Sequence, residues 1–297
     1  MSKPRIGVIG IPGKWSTETL ADAVAAATGE RLVFDMAHVV LDLSSNQLYG
    51  NGVNLCELDG LIVKKISAEY NPNTLDRLEL LRIAEGHGVR VFSPAESMIR
   101  LVDRLSCTVT LRNADIPMPE TTVTEDVTAA MEAVRRYGKA VFKPLFSTKA
   151  RGMTVIDGSQ DDAALRAEIE AFQQTNPMMY LQKKVKLPGR DLGLVFLNGT
   201  YLGAYARVPQ DANTWNTTIH SGGKYALAEP NAEIVEMARK AQALFNLDFT
   251  TVDVAETESG PICFEVSAFG GFRGAKDGLG IDAAELYVAH VLNSLNV

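Results

Sequence analysis

Only three cysteines occur in 297 residues: Cys56, Cys107 and Cys263. Their number is odd, they lie far apart and none forms a C-x-x-C pair. That excludes a disulfide framework or a cysteine zinc site and leaves reduced structural thiols. The four histidines, His38, His87, His220 and His290, are equally scattered. No Ser-His-Asp or Cys-His constellation for nucleophilic catalysis is visible. No apolar run has the length a membrane span needs. Met1–Arg5 leads straight into a strand with no signal-peptide architecture, so a cytoplasmic protein is expected. Excess positive charge is also missing. Lys and Arg number 29 against 36 Asp and Glu, a net charge of -7, with no basic cluster, which argues against a nucleic-acid surface. Repeats and low-complexity segments are absent. What remains is an ordinary soluble composition, 46% hydrophobic and 22% charged, in a chain long enough for more than one domain.

The first hundred residues alternate strands and helices. Arg5–Gly10, Leu32–Asp35, Gly60–Lys64 and Val89–Phe92 read as strands, and Asn73–Glu85 as a helix. Ser16 is placed to cap an Ala-rich helix running to about Ala27. The pattern predicts a small doubly wound, mainly parallel sheet. The Gly10–Trp15 loop is not a phosphate loop: G-x-x-x-x-G-K-S/T would need Gly at Val8 and Ser or Thr at Trp15. It is a tight turn whose following helix end suits an anionic substrate group. Lys64 and Lys65 end a strand, where open sheets collect ligands, though a solvated strand end explains them equally well.

From Ile99 the pattern changes. A helix spans Ile99–Asn113 and stops at Ile116-Pro-Met-Pro119. Strands follow at Thr121–Val123, Ala140–Lys143, Gly152–Ile156 and Met179–Lys184, with helices at Val127–Tyr137 and Asp161–Gln173. Asp191–Leu197 and Tyr201–Val208 flank Asn198-Gly199, a type I′ hairpin signal. Helices at Asn231–Leu244 and Ile281–Leu295 complete an α+β part.

Thr250–Gly271 carries the densest signal. Its alternation on either side of Glu258-Ser259-Gly260 predicts a β-hairpin in which Thr257 faces Pro261 and Asp253 faces Glu265. Their Cβ atoms would lie about 4.5–5.5 Å apart on one face, which Ser267 shares, while Val252, Val254, Phe264 and Val266 point to a core. Like charges placed opposite each other are unfavourable, and a Mg²⁺ or Mn²⁺ ion between them would remove the conflict. A solvated carboxylate pair on an edge hairpin accounts for the same residues. Lys143 ends a strand before Phe146-Ser-Thr-Lys-Ala-Arg-Gly152, a run suited to cover a polyphosphate or to form a basic surface turn. Phe269–Gly280 reads as a glycine-rich loop carrying Arg273, Lys276 and Asp277. Trp215 and His220 are given no catalytic role.

The order of these features resembles the ATP-grasp superfamily, closest to RimK-like carboxylate–amine ligases. The matching runs are Leu101-Val-Asp-Arg-Leu105, Ile116-Pro-Met-Pro119, Val141-Phe-Lys-Pro144, Tyr180-Leu-Gln182, Gly189-Arg-Asp191, Ile219-His-Ser-Gly-Gly223, Val252-Asp253, Cys263-Phe-Glu-Val-Ser267 and Gly280-Ile-Asp282. Phe272-Arg-Gly-Ala-Lys-Asp-Gly278 resembles a subgroup known as the GAK-system ATP-grasp enzymes. The resemblance covers roughly Ile99 to the end. It implies an amino-terminal α/β domain, residues 1–98, followed by an ATP-grasp fold, residues 99–297. The latter would have a central lid subdomain over about 118–185 and a carboxyl-terminal subdomain over about 186–297.

The resemblance also implies roles. Lys143 would bind nucleotide phosphates, under a lid of Ser147, Thr148, Lys149 and Arg151 through Gly152. Gln182, Lys183, Lys184 and Val185 would be the hinge beside adenine. Asp191 would approach the ribose, Arg207 the reacting group, and Asn216, Thr217 and Thr218 the phosphates. Asp253 and Glu265 would hold Mg²⁺ or Mn²⁺, with Ser267 where the family usually has Asn. Apart from the resemblance, the Phe269–Gly280 run adjoins the carboxylate pair, so Arg273, Lys276 and Asp277 would recognise a carboxylate or phosphate group of the acceptor, or else form a long surface loop with solvated charges. Other departures are Lys183 for an acidic hinge residue, and Gly193 and Asn216 where the family has Arg. The implied activity is ATP-dependent ligation of a small-molecule or peptide carboxylate to an amine through an acyl phosphate. No membrane partner is implied, and homo-oligomerisation is common in such enzymes. An ATP-grasp kinase fits the basic Arg273/Lys276 run. A nucleotide-binding protein with little catalysis fits the departures at Ser267, Gly193 and Asn216.

Overall fold

The computed structural model describes residues 3–148, 150–209 and 223–295. The chain begins with strand β1 (Ile6–Ile9), helix α1 (Trp15–Thr28) and β2 (Leu32–Phe34). A short antiparallel meander follows, β3 (Val40–Asp42), β4 (Gln47–Gly50) and β5 (Val53–Asn54), then β6 (Gly60–Val63), α2 (Asn73–Gly86) and β7 (Arg90–Phe92). The main sheet has the order β2-β1-β6-β7 and is parallel throughout. The expected doubly wound sheet is therefore present. The chain leaves β1 on one side for β2 and returns on the other for β6, so the crevice at their carboxyl ends is a topological switch point. The meander was not anticipated, because strands of two to four residues are too short to show alternation. Ser16 does not cap α1, since Lys14 occupies that position and the helix starts at Trp15. Thr17 Oγ1 instead accepts from the Ile11 N–H at 3.2 Å, tying the loop to the helix.

The helix expected over Ile99–Asn113 is two helices, α3 (Ala95–Val102) and α4 (Arg104–Asn113). Asp103 separates them with an extended ψ of 112°. Its carboxylate accepts from the Leu105 N–H at 3.0 Å, an N-cap that places Arg104 in the first turn of α4.

The second sheet comprises β8 (Thr121–Thr124), β9 (Lys139–Lys143), β10 (Thr154–Asp157) and β11 (Met179–Lys183), in the order β10-β9-β11-β8. Helices α5 (Val127–Tyr137) and α6 (Asp162–Gln173) cover one face, where Ala140, Phe142, Met179 and Leu181 are buried. Asp126 and Asp161 cap these helices. With period two, Lys143, Tyr180 and Gln182 point to the other face.

The third sheet has the order β14-β13-β12-β15-β16: β12 (Asp191–Leu197), β13 (Thr200–Val208), β14 (Lys224–Ala228), β15 (Phe249–Thr257) and β16 (Gly260–Ser267). Asn198 and Gly199 both have positive φ, 46° and 74°, as a type I′ turn requires. Helix α7 (Ala232–Ala243) packs Ile234, Met237 and Ala238 into one core with Leu192, Leu194, Val252 and Val254. Two more helices, α8 (Phe272–Leu279) and α9 (Ala283–Ser294), join another core with Ile6, Val8 and Leu20 of the first sheet and its helix.

The run Phe269–Gly280 is thus not a loop; most of it is α8. Its glycines serve contact. A Cβ on Gly274 would sit 2.3 Å from the Tyr205 ring, and one on Gly278 2.5 Å from the Tyr205 Cβ. Four residues apart, they form a flat stripe that lets the helix lie directly on Tyr205. Gly193, the residue paired with Tyr205 on the adjacent strand β12, serves the same ring, and its Cβ would come within 2.4 Å. Among the described residues, no helix is long and apolar enough to cross a membrane.

Candidate active site

The hairpin of β15 and β16 does set Asp253 opposite Glu265, but by a different route from the one expected. The loop is only Glu258-Ser259, and Thr257 faces Gly260. A β-bulge between Asp253 and Val254 then takes up one residue and restores the expected pair. The extra residue is Phe264. Cys263, wholly buried, takes the core position expected of Phe264. Phe264 turns instead to the carboxylate face, where its ring lies 5.5 Å from Lys143 Nζ.

Lys143 comes from the second sheet. Its ammonium donates to Gln182 Oε1 at 2.5 Å, while Gln182 Nε2 donates to Thr121 Oγ1 at 3.1 Å and the Tyr180 hydroxyl at 3.3 Å. Burial, followed by the Arg104 charge, pushes Lys143 down to about 7, with Glu265 opposing. An anion arriving here would restore its proton.

Arg207 holds the third-sheet half. Its Nε donates to Asp191 Oδ1 and Oδ2 at 3.2 and 3.1 Å, and its Nη2 also reaches Asp191 Oδ2. The same Nη2 lies 3.0 Å from Asp253 Oδ2. Strand register explains the meeting, since Asp191 pairs with Arg207 while Gly193 pairs with Asp253. Burial opposes the Arg207 charge, but Asp253 and then Asp191 outweigh it and raise the guanidinium well above its usual value. Burial pushes Asp253 up to about 7, against the pull of Arg207.

Arg104 is the residue that the sequence reading quoted but gave no role. Its side chain is 11% exposed and touches three parts of the site. Nε donates to the Pro144 carbonyl at 3.1 Å, Nη2 to Ser147 Oγ at 3.2 Å and Nη1 to Glu265 Oε2 at 3.3 Å. It therefore links the segment after β9 to the hairpin. Spacing alone could not reveal this, because Arg104 lies 161 residues from Glu265. Its position directly after a capping Asp was the one available signal.

The remaining predicted residues fall as follows. Thr148 and Arg151 lie between β9 and β10, in the run expected to be a lid, where Arg151 makes an exposed ion pair with Glu69 at 3.4 Å. Lys183 ends β11 and pairs with Glu120 at 2.5 Å, so a cation replaces the expected hinge acid and carries its own counter-charge. Lys184 and Val185, in the run expected to be the hinge, border a cleft of about 1040 Å³ with Lys139, Gly189 and Pro209. A second cavity of about 320 Å³, beside Arg90 and Asp248, touches none of the candidate residues. Ser267 ends β16, and its carbonyl accepts from Thr250 Oγ1 at 2.6 Å. Lys149, Asn216, Thr217 and Thr218 lie outside the described residues. Arg273, Lys276 and Asp277 stand on α8.

Lys64, at the carboxyl end of β6, is buried rather than a solvated strand end. Its Nζ donates to the carbonyls of Phe269 and Gly270 at 2.5 and 2.8 Å, and lies 4.2 Å over the Phe272 ring. Burial, with Lys65 second, lowers it to about 7. All three cysteines are free and buried; burial pushes Cys107 up to about 12 and Cys263 upward, as suits structural thiols.

Among the described residues, no three His, Cys, Asp or Glu side chains cluster as a ready metal cage. Asp253 and Glu265 still offer hard oxygen donors from adjacent strands, the chemistry a Mg²⁺ ion accepts alongside water and phosphate oxygens. An arginine now faces each carboxylate, Arg207 at Asp253 and Arg104 at Glu265. These arginines already offset the like charges that a cation was expected to relieve, so the fit to a hard divalent cation rests on the oxygen donors alone.

These sheets, with a lysine-bearing strand facing a carboxylate hairpin, define an ATP-grasp architecture. The architecture recurs in PsnB, an ATP-grasp ligase solved with a phosphomimetic variant of its minimal precursor, Mg and ADP. That match has a TM-score of 0.75 and 17% identity over 100% of both chains. The RimK domain protein ATP-grasp from Sphaerobacter thermophilus matches with a TM-score of 0.74 and 20% identity, over 96% of this chain and 98% of that one. Residues 102–291 match the RimK-like ATP-grasp domain, and the chain belongs to that family. A full-length relative is the tetrahydromethanopterin:alpha-L-glutamate ligase of Methanosarcina acetivorans, 26% identical over 98% of this chain and 99% of its own.

Proposed function

We propose that this protein is an ATP-dependent carboxylate–amine ligase. The carboxylate of one substrate attacks the γ-phosphorus of ATP, giving an acyl phosphate and ADP. An amine then attacks the acyl carbon, an amide C–N bond forms, the C–O bond to phosphate breaks, and the amine loses a proton. The supporting observation is the convergence of Lys143 and Gln182 from one sheet with Arg207, Asp253 and Glu265 from another, joined through Arg104. The relative's name, a glutamate ligase, supports the same class.

In this reading residues 1–98 form the α/β domain and 99–297 the ATP-grasp part. Lys143 binds the phosphates, and Ser147, Thr148, Lys149 and Arg151 cover them. Gln182 through Val185 border adenine, with the ribose near Asp191, whose carboxylate also orients Arg207. Arg207 steadies the transferring phosphoryl group. Asn216 and Thr218 remain proposed phosphate contacts. Asp253 and Glu265, with Ser267 at the edge, would hold Mg²⁺, which when bound offsets charge on the phosphates. Arg273, Lys276 and Asp277 face the acceptor. The test is ADP release across a panel of amino-acid and peptide acids and amines, with mass spectrometry of the product. An amide with free phosphate supports a ligase, and a stable phosphorylated product points to a kinase. No acceptor-dependent ADP release across the panel contradicts both.

A further inference from the structure

We propose that Trp15, Arg273 and Lys276 form a subsite for a second, non-reacting oxyanion of the substrate, beside the reacting centre. This rests on the ligase reading above and adds a requirement to it: the substrate carries a carboxylate or phosphate that the reaction leaves untouched.

Two cations converge on one indole. The Arg273 guanidinium lies 4.0 Å from the Trp15 ring centroid and the Lys276 ammonium 5.5 Å from it. They are three residues apart on α8 and so share a face. Asp277 supplies one carboxylate, 3.9 Å from Arg273 Nε. Among the described residues Lys276 has no ion pair. The cluster therefore keeps one net positive charge, with two like charges held close together. Cation–π attraction positions such cations but does not neutralise them. An oxyanion placed between them would.

The cluster is also rigid. Helix α8 rests on Tyr205 through Gly274 and Gly278, buries Phe272, and begins at carbonyls held by Lys64. Trp15 sits in the loop-to-helix junction after β1, at the switch-point crevice between β1 and β6 where open sheets bind ligands. A bridge to the reacting centre is present in Tyr225. It stands opposite Arg207 in strand register and packs edge-on, 5.1 Å between ring centroids, against the Tyr205 ring on which α8 rests. A role confined to docking α8 on Trp15 would be met by apolar side chains. Arg273 instead keeps half its side-chain surface in solvent.

Two probe pairs test the subsite by calorimetry on the whole protein, with and without ADP and Mg²⁺: L-glutamate against L-glutamine, and O-phospho-L-serine against L-serine. In at least one pair the charged member should bind tenfold or more tightly than its neutral partner. Which pair it is distinguishes carboxylate from phosphate. The double variant Arg273→Gln, Lys276→Ala should cut that preference below twofold, and Lys276→Arg should keep it. Trp15→Leu should weaken the charged probe several-fold. The double variant alters an exposed helix face and preserves folding, so it keeps the test valid even if Trp15→Leu misfolds. No charge preference in either pair, or a preference that survives the double variant, overturns the proposal. Thermal stabilisation by ADP and Mg²⁺ tests the nucleotide reading separately. A protein that ADP stabilises but that shows no charge preference loses only the subsite.

Discussion

Replacing Arg207 with Met would expose how the carboxylate face is balanced. The guanidinium is the shared partner of Asp191 and Asp253, whose side chains are 7% and 17% exposed. Methionine fills much of the volume and leaves both carboxylates without that charge. Removing one partner of a buried ion pair costs about 3–5 kcal/mol, because the remaining charge is uncompensated. At about 2–4 °C per kcal/mol, the unfolding midpoint should fall by roughly 6–20 °C. The loss should also depend on pH. Burial already lifts Asp253 to about 7, above the value near 4 of an unfolded carboxylate. The folded state therefore holds that proton more tightly. The associated stability is complete below about pH 4 and is lost as pH rises through about 7. Without Arg207 the folded pKa moves higher, so the deficit should be widest at pH 8 and shrink towards pH 5. Chemical unfolding of both proteins at the two pH values, in EDTA, measures this. A deficit below about 1 kcal/mol, or one equal at both pH values, refutes the reasoning.

Other outcomes follow from the same geometry. Gly274→Val would drive a branched side chain into Tyr205, so α8 should lift and stability should fall by about 1–3 kcal/mol, read from the urea midpoint. Lys143, lowered to about 7, should regain its proton when phosphates arrive. ADP affinity should then weaken as pH rises from 7 to 8.5, up to about tenfold per pH unit, and Lys143→Arg should flatten that slope in calorimetry. Equal slopes in the two proteins would remove Lys143 from the phosphate site.

The sequence showed the site where chemistry and local pattern coincide. Asp253 and Glu265 were paired from alternation and an expected three-residue loop, and they do face each other only because the bulge offsets the shorter loop; the role of Lys143 came from the family resemblance. The same pattern could not show the bulge: the extra residue shifts the phase of one strand by one, but Ile262, Cys263 and Phe264 are all apolar, so the shift leaves no mark in the sequence. Phe264 was therefore assigned to the core, although its ring faces Lys143. The glycines of α8 looked like a loop because helix propensity penalises glycine, and the Tyr205 ring that makes them necessary lies some seventy residues earlier in the chain. Gly193, a departure from the family's Arg, has the same physical reason. Arg104 and Lys64 were visible as residues but not as contacts, since their partners come from the segment after β9, the hairpin and the start of α8.

The central claim is that one nucleotide–metal site is built from Lys143 and Gln182 on one side and Asp253 and Glu265 on the other. The most direct measurement is ADP binding with and without Mg²⁺, by calorimetry, in the natural protein and in Glu265→Gln. The natural protein should bind ADP at least tenfold more tightly with Mg²⁺. Glu265→Gln should lose that gain, keep its metal-free affinity and show no ATP turnover. A Glu265→Gln protein that retains the Mg²⁺ dependence and turns over ATP would contradict the account.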